Sequence, residues 1–167
     1  MPNAAPGASG SSQPTDQLGV LTRVRRIGWR GLVLRLEALL LLRHIVRAMK
    51  LRPFAEVRDA LLPQAAEPST PTVETGPRAH GDAERAAPVG GAVASVARFV
   101  PGALCVSQAL ATQVMLTRRG EGSVLHFGFL RSGAGQVEGH AWLEVDGSVV
   151  IGDGGLDSFT RTATFES

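Results

Sequence analysis

A chain of 167 residues, 44% of them hydrophobic, is long enough for one domain with a real core and too short for several. Aromatic residues make up 5% and tyrosine is absent, which argues against a stacking platform for single-stranded nucleic acid. One cysteine excludes an intrachain disulfide and points to a reducing, cytoplasmic setting.

The net charge of +2 conceals an asymmetry. Residues 20–60 carry ten basic side chains against three acidic ones, and residues 101–167 carry four against seven. The front half is therefore basic and the back half mildly acidic. A basic helical segment can face nucleic acid, anionic lipid or an acidic peptide, or can simply have solvated ends.

Residues 1–19 are rich in Pro, Gly, Ser and Ala, lack the charged start and apolar stretch of a secretory signal, and read as a disordered tail. Residues 20–62 form a basic, Leu-rich helical segment. Its main helix is expected over Ile27–Met49, apolar around most of its circumference and hence buried, with Arg35 obliged to snorkel or pair. The run Ala38–Leu42 is bracketed by Glu37 and Arg43 and is far shorter than the ~20 residues a membrane span needs. Membrane association is therefore not expected.

Pro53 should stop that helix, with a second short one over Phe54–Leu62. Residues 63–88, with five prolines among Ala, Thr, Glu and Ser, read as a linker or long surface loop. A core domain is expected over 89–167. It begins with a helix at Val89–Val100, broken by Pro101-Gly102, and a second at Ala103–Arg119, stopped by Gly120. Leu125, Phe127 and Phe129 alternate with Val124, His126 and Gly128, so Ser123–Leu130 reads as a strand. Strands at 138–145 and 148–153 flank Asp146-Gly147, and a short strand is expected at Thr162–Phe165. The expected fold class is α+β, helices first and then a small antiparallel sheet.

The chemistry concentrates in this last part. Asp-Gly between two apolar runs is a strong two-residue hairpin signal. With Val145 facing Ser148, cross-strand partners have numbers summing to 293, which sets His140 opposite Asp153 on one face of the sheet. A carboxylate so placed would orient an imidazole and stabilise its charged form. Cys105 falls in the first turn of its helix, where unsatisfied amide N–H groups favour a thiolate and can stabilise an oxyanion. His140, near a strand start, could project toward that helix as general base. Asp157 is the reserve for Asp153 if a bulge shifts the register. Each residue alone has an ordinary explanation: a buried inert thiol, a half-exposed histidine, an aspartate in a Gly-rich turn. The scattered histidines give no tight ligand spacing, so no metal is expected, and no cofactor motif is present.

The segments Leu104–Ala111 with Met115–Gly120, and His140-Ala141-Trp142-Leu143-Glu144-Val145-Asp146-Gly147, resemble the transglutaminase-like cysteine proteases of lasso-peptide biosynthesis. The resemblance spans about residues 25–62 and 90–165. It implies a papain/transglutaminase-like core, a Cys-bearing helix packed on a small antiparallel sheet. It further implies a leader peptidase acting on a ribosomally made precursor peptide, with a leader-recognition protein and an ATP-dependent lasso cyclase as partners. Carried over, Cys105 is the nucleophile, His140 the base and then acid, and Asp153 the orienting carboxylate. The first hundred residues lack a strand-rich recognition domain, so the resemblance is to the standalone protease. Two other readings stay open: an amide transferase or deamidase on a related fold, and a non-catalytic module that binds through the basic helix.

Overall fold

The computed structural model describes residues 28–62, 82–131 and 137–167. Among them are four α-helices, α1 (Trp29–Met49), α2 (Phe54–Leu61), α3 (Ala83–Ala97) and α4 (Cys105–Thr117). Four strands follow, β1 (Val124–Arg131), β2 (Val137–Val145), β3 (Ser148–Ile151) and β4 (Thr160–Glu166), with a 3₁₀ turn at Leu156–Ser158. The sheet is antiparallel throughout, in the order β3-β2-β1-β4. This is the expected α+β architecture.

Helix α4 is the centre of the molecule. Ala109–Leu116 are all buried, because α1, α3 and β2 close around the helix. Its far end is tied to α1 by Arg119, whose guanidinium donates to Glu37 at 2.6 Å. Helix α1 buries Ala38, Leu41, Leu42, Ile45 and Val46, spaced as a single helical stripe. The expectation that α1 is buried all round therefore holds only for this stripe; Leu32, Val33, Leu36 and Leu40 are exposed. Arg35 meets its need locally by donating to Gly31 O at 3.2 Å. No described helix is long and apolar enough to cross a membrane.

Helix α3 starts six residues before the expected Val89, inside the stretch read as a linker. Its N-cap is Asp82, whose carboxylate accepts from the amides of Glu84 (2.9 Å) and Arg85 (3.3 Å). Pro88, which suggested a loop, lies within the helix on its exposed side. The remainder of residues 63–88, and the tail at 1–19, lie outside the described residues.

The sheet turns one face to the helices. Leu125, Ala141, Leu143, Val145 and Ile151 join the helical core, with Phe127 and Phe165 packed edge-on around Phe54 of α2. The hairpin turn has positive φ at both Asp146 (47°) and Gly147 (75°), as a two-residue turn of this hand requires. Pairing begins as expected, Val145 with Ser148 and Glu144 with Val149, and then shifts: Leu143 faces Ile151. Val150 is the extra residue of a β-bulge. At this bulge α3 comes against the sheet, and a Cβ on Gly90 would collide with the Val150 carbonyl oxygen. Only glycine allows that approach.

Gly90→Ala should therefore destabilise the fold by about 1–3 kcal/mol through overpacking against backbone. The neighbouring Gly91 has open space around it, so Gly91→Ala should be neutral or stabilising by up to about 1 kcal/mol. Urea unfolding of the two variants checks both signs.

Candidate functional site

The bulge decides what His140 meets. With the register moved by one, β3 ends at Ile151 and the chain crosses over β2 at Gly152 in a left-handed conformation (φ 84°). A Cβ there would lie 2.7 Å from Ala141 O and 3.0 Å from Trp142 Cα, so the crossing demands glycine. The Gly152 carbonyl then lies 2.9 Å from His140 Nε2. A carbonyl oxygen only accepts, so Nε2 carries a proton, and in the neutral ring the lone pair is on Nδ1. The expected pairing of His140 with Asp153 is thus corrected: the backbone carbonyl of the preceding residue holds the ring. Asp153 is exposed, and among the described residues no hydrogen bond joins it to His140. Asp157 lies in the 3₁₀ turn that follows.

The ring of His140 is packed as well as bonded. It stacks on Trp142 (centroids 6.3 Å apart, planes at 17°) and is tilted against Phe159 (5.1 Å, 35°). Trp142 is itself buried between the two histidines, with His126 stacked 5.3 Å away. Its indole N–H donates to Glu144 Oε1 at 2.9 Å, and Arg161 donates to the same oxygen at 2.7 Å. The Arg161 guanidinium also lies over the indole ring, 5.5 Å from its centroid. His126 Nδ1 is 3.3 Å from the Thr164 hydroxyl; its Nε2 is 3.2 Å from Glu144 Oε2, without the angles of a hydrogen bond. Glu144 thus fixes the indole that supports the imidazole of His140. This polar layer was not anticipated as a unit, although the alternation of His140, Trp142 and Glu144 in the sequence marks one sheet face.

Cys105 stands at the first position of α4, half-buried. The helix start carries no side-chain cap and no acidic residue in its first turn, so its free amide N–H groups remain available to an anion. The preceding loop is held from inside the helix: Gln108 Nε2 donates to Ala103 O (3.0 Å) and Ser107 Oγ to Leu104 O (2.9 Å).

Helix α4 packs against β2 and leads through a short connection into β1. Gln113 of α4 donates to Phe165 O in the row of Leu125 and Leu143. From there Cys105 lies about 12 Å back along the helix and His140 about 10 Å back along the strand, at ~1.5 and ~3.4 Å per residue. They do not share a sheet face, however. Ala141 and Leu143 point to the helices, whereas His140 stacks with Trp142 on the opposite side, contrary to the expectation that its ring projects toward α4. Among the described residues no hydrogen bond joins Cys105 to His140.

Burial is the largest influence on His126 and holds its imidazole below the ordinary value of 6.5. The Glu144 carboxylate opposes this and the Arg161 guanidinium adds to it. Folding therefore excludes a proton that the unfolded chain takes up below pH 6.5. Stability from this residue is complete above that pH and is lost as pH falls through it toward the folded-state value. His126→Gln should flatten the decline of the urea midpoint between neutral and mildly acidic pH. A variant keeping the parental slope would show that other groups govern it.

Comparison with known proteins agrees with this architecture. Neither the curated proteins nor the solved structures yield a match. A family model described as Transglutaminase-like superfamily matches residues 18–164, which spans all four helices and nearly the whole sheet. An α+β core in which a cysteine opens a helix packed on an antiparallel sheet, together with a family match over most of the chain, places this protein in the transglutaminase-like superfamily, whose folds serve cysteine peptidases and amide transferases.

Proposed function

We propose that the protein is a cysteine peptidase that removes the leader from a ribosomally made lasso-peptide precursor. The carrying observation is the hydrogen bond of His140: its Nε2 donates to the Gly152 carbonyl, which leaves Nδ1 as the nitrogen able to act as base, in a chain whose Cys105 opens α4. A base must be held in one tautomer to work, and a fixed acceptor on the other nitrogen achieves that. In the free protein the thiol and imidazole lie on opposite faces of the sheet, so this reading requires the His140 end of β2 to turn toward α4 when substrate binds.

In this mechanism the Cys105 thiolate attacks the carbonyl at the leader–core junction, and the free amides of the first helical turn receive the oxyanion. The proton that the Cys105 thiol loses passes to His140 Nδ1 and from there to the leaving amine, which departs with the core, while the Nε2 proton stays on the Gly152 carbonyl. Water then attacks the thioester, losing a proton to His140, and the leader leaves with a new carboxylate. Asp153, next to Gly152, contributes negative charge to the turn that the imidazolium faces. A leader-recognition protein is the proposed delivery partner, and the lasso cyclase the proposed consumer of the freed core. The work is intracellular in this reading, since a free thiol nucleophile needs reducing conditions.

The test is mass spectrometry of precursor peptide incubated with the full chain and the recognition protein. Free leader and free core are expected; ammonia release or a cross-linked product would instead establish an amide transferase. Cys105→Ala should abolish turnover without unfolding the protein. His140→Asn should lower kcat by about a thousandfold, the scale typical of losing a triad member, whereas Asp153→Asn should cost less than about tenfold because the backbone acceptor survives. Equal losses at 140 and 153 would restore the carboxylate to the orienting role. Slow reaction of Cys105 with iodoacetamide at neutral pH would remove it as nucleophile.

A further inference from the structure

We propose that the concave surface between the C-terminal half of α1 and the loop before Cys105 binds an acidic, apolar-containing peptide segment of the substrate. The substrate assignment rests on reading Cys105 as nucleophile; the binding itself does not.

Two adjoining cavities form this surface and share His44 and Arg47. One, of about 370 Å³, reaches Arg52 and the apolar side chains of Val57 and Leu61. The other, of about 660 Å³, adds Arg43 and Lys50 and ends on Val100 and Pro101. No acidic side chain among the described residues lines either of them. Among the described residues, none of Arg43, Arg47, Lys50 and Arg52 takes part in an ion pair, whereas Arg85, Arg118, Arg119 and Arg161 all do. Four cations gathered on one concave surface repel one another, and an anionic occupant relieves that repulsion.

The position of the groove says what the occupant is. Pro101 lies four residues before Cys105, and the loop between them is seated on α1, where a Cβ on Gly102 would be in van der Waals contact with Val46. A chain lying on these cations is therefore directed to the thiol-bearing end of α4. The surroundings are apolar as well as basic: Leu51, Leu104 and Phe99 are 77%, 71% and 64% exposed. Carboxylates for the arginines and aliphatic side chains for these three residues describe a peptide. Single-stranded nucleic acid would want several aromatic platforms, and among the described residues Phe99 is the one exposed aromatic beside these cavities, with Arg98 over one face of its ring. An anionic lipid surface would want the apolar groups on a convex face.

The experiment uses the full chain as Cys105→Ala, so that binding is read without chemistry. A short fluorescein-labelled peptide of alternating glutamate and leucine is titrated by anisotropy against its glutamine–leucine counterpart. The glutamate peptide should bind at least about tenfold more tightly, and Arg43→Gln with Arg47→Gln should remove about tenfold of its affinity, as two exposed charge pairs would. Arg30→Gln, at the other end of α1, should leave it unchanged. If the double variant fails circular dichroism, Arg47→Gln alone and the loss of affinity with added salt answer the same question. In the Cys105-containing chain, bound glutamate peptide should slow alkylation of the thiol under alkaline conditions, where any accessible cysteine reacts. Equal binding of the two peptides, full affinity in the charge variants, or unslowed alkylation would overturn the proposal. Tighter binding of oligothymidylate or of phosphatidylserine vesicles would reassign the groove. A protein that binds the acidic peptide yet cuts no precursor refutes the peptidase reading alone.

Discussion

One extra residue in β3 governs the chemistry of the sheet. Had the ladder continued in its initial register, a side chain would have faced His140 across the strand pair. The bulge at Val150 instead advances the chain so that Gly152 passes tightly over β2 and presents its carbonyl to the ring. The bulge is in turn where α3 meets the sheet, its Gly90 laid against the bulged residue. A helix–sheet contact about packing thus fixes which atom holds the imidazole. Bulges commonly re-aim groups near functional sites in this way.

The sheet also separates two kinds of interior. Toward the helices it is aliphatic and aromatic, closed on α4. On the other side it is a polar cluster in which Glu144 serves the indole of Trp142 and the guanidinium of Arg161 and lies beside His126. A nearly buried carboxylate is costly unless its oxygens are engaged, and here one oxygen accepts two donors. The cluster is a rigid floor for His140: the imidazole rests on a ring that is itself bonded and stacked. An imidazole so supported has little orientational freedom left to lose.

Much of this arrangement was legible in the residues. Alternation in Leu125-Phe127-Phe129 and the Asp-Gly pair set the strands and the hairpin, and Pro101-Gly102 with Gly120 set α4 within two residues. Other features had no sequence signal. Pro88 obscured the start of α3 because proline marks a loop on average, while Asp82 capped the helix upstream of it. The leucines of α1 could not reveal which would be covered, since hydropathy does not say where neighbours lie. The register beyond Leu143 was hidden because an irregularity in β3 depends on a helix arriving from elsewhere in the chain. The partner of His140 was least visible of all, a main-chain oxygen that any residue type possesses.

That last property has an evolutionary consequence. An acceptor supplied by the peptide backbone persists under almost every mutation of the neighbouring side chains. Descendants of such a protein can drift at position 153, exchanging an acid for a neutral residue, while the tautomer of the imidazole is inherited unchanged. What they cannot surrender is the shape of the crossing, so selection falls on a hydrogen atom in place of a side chain at position 152.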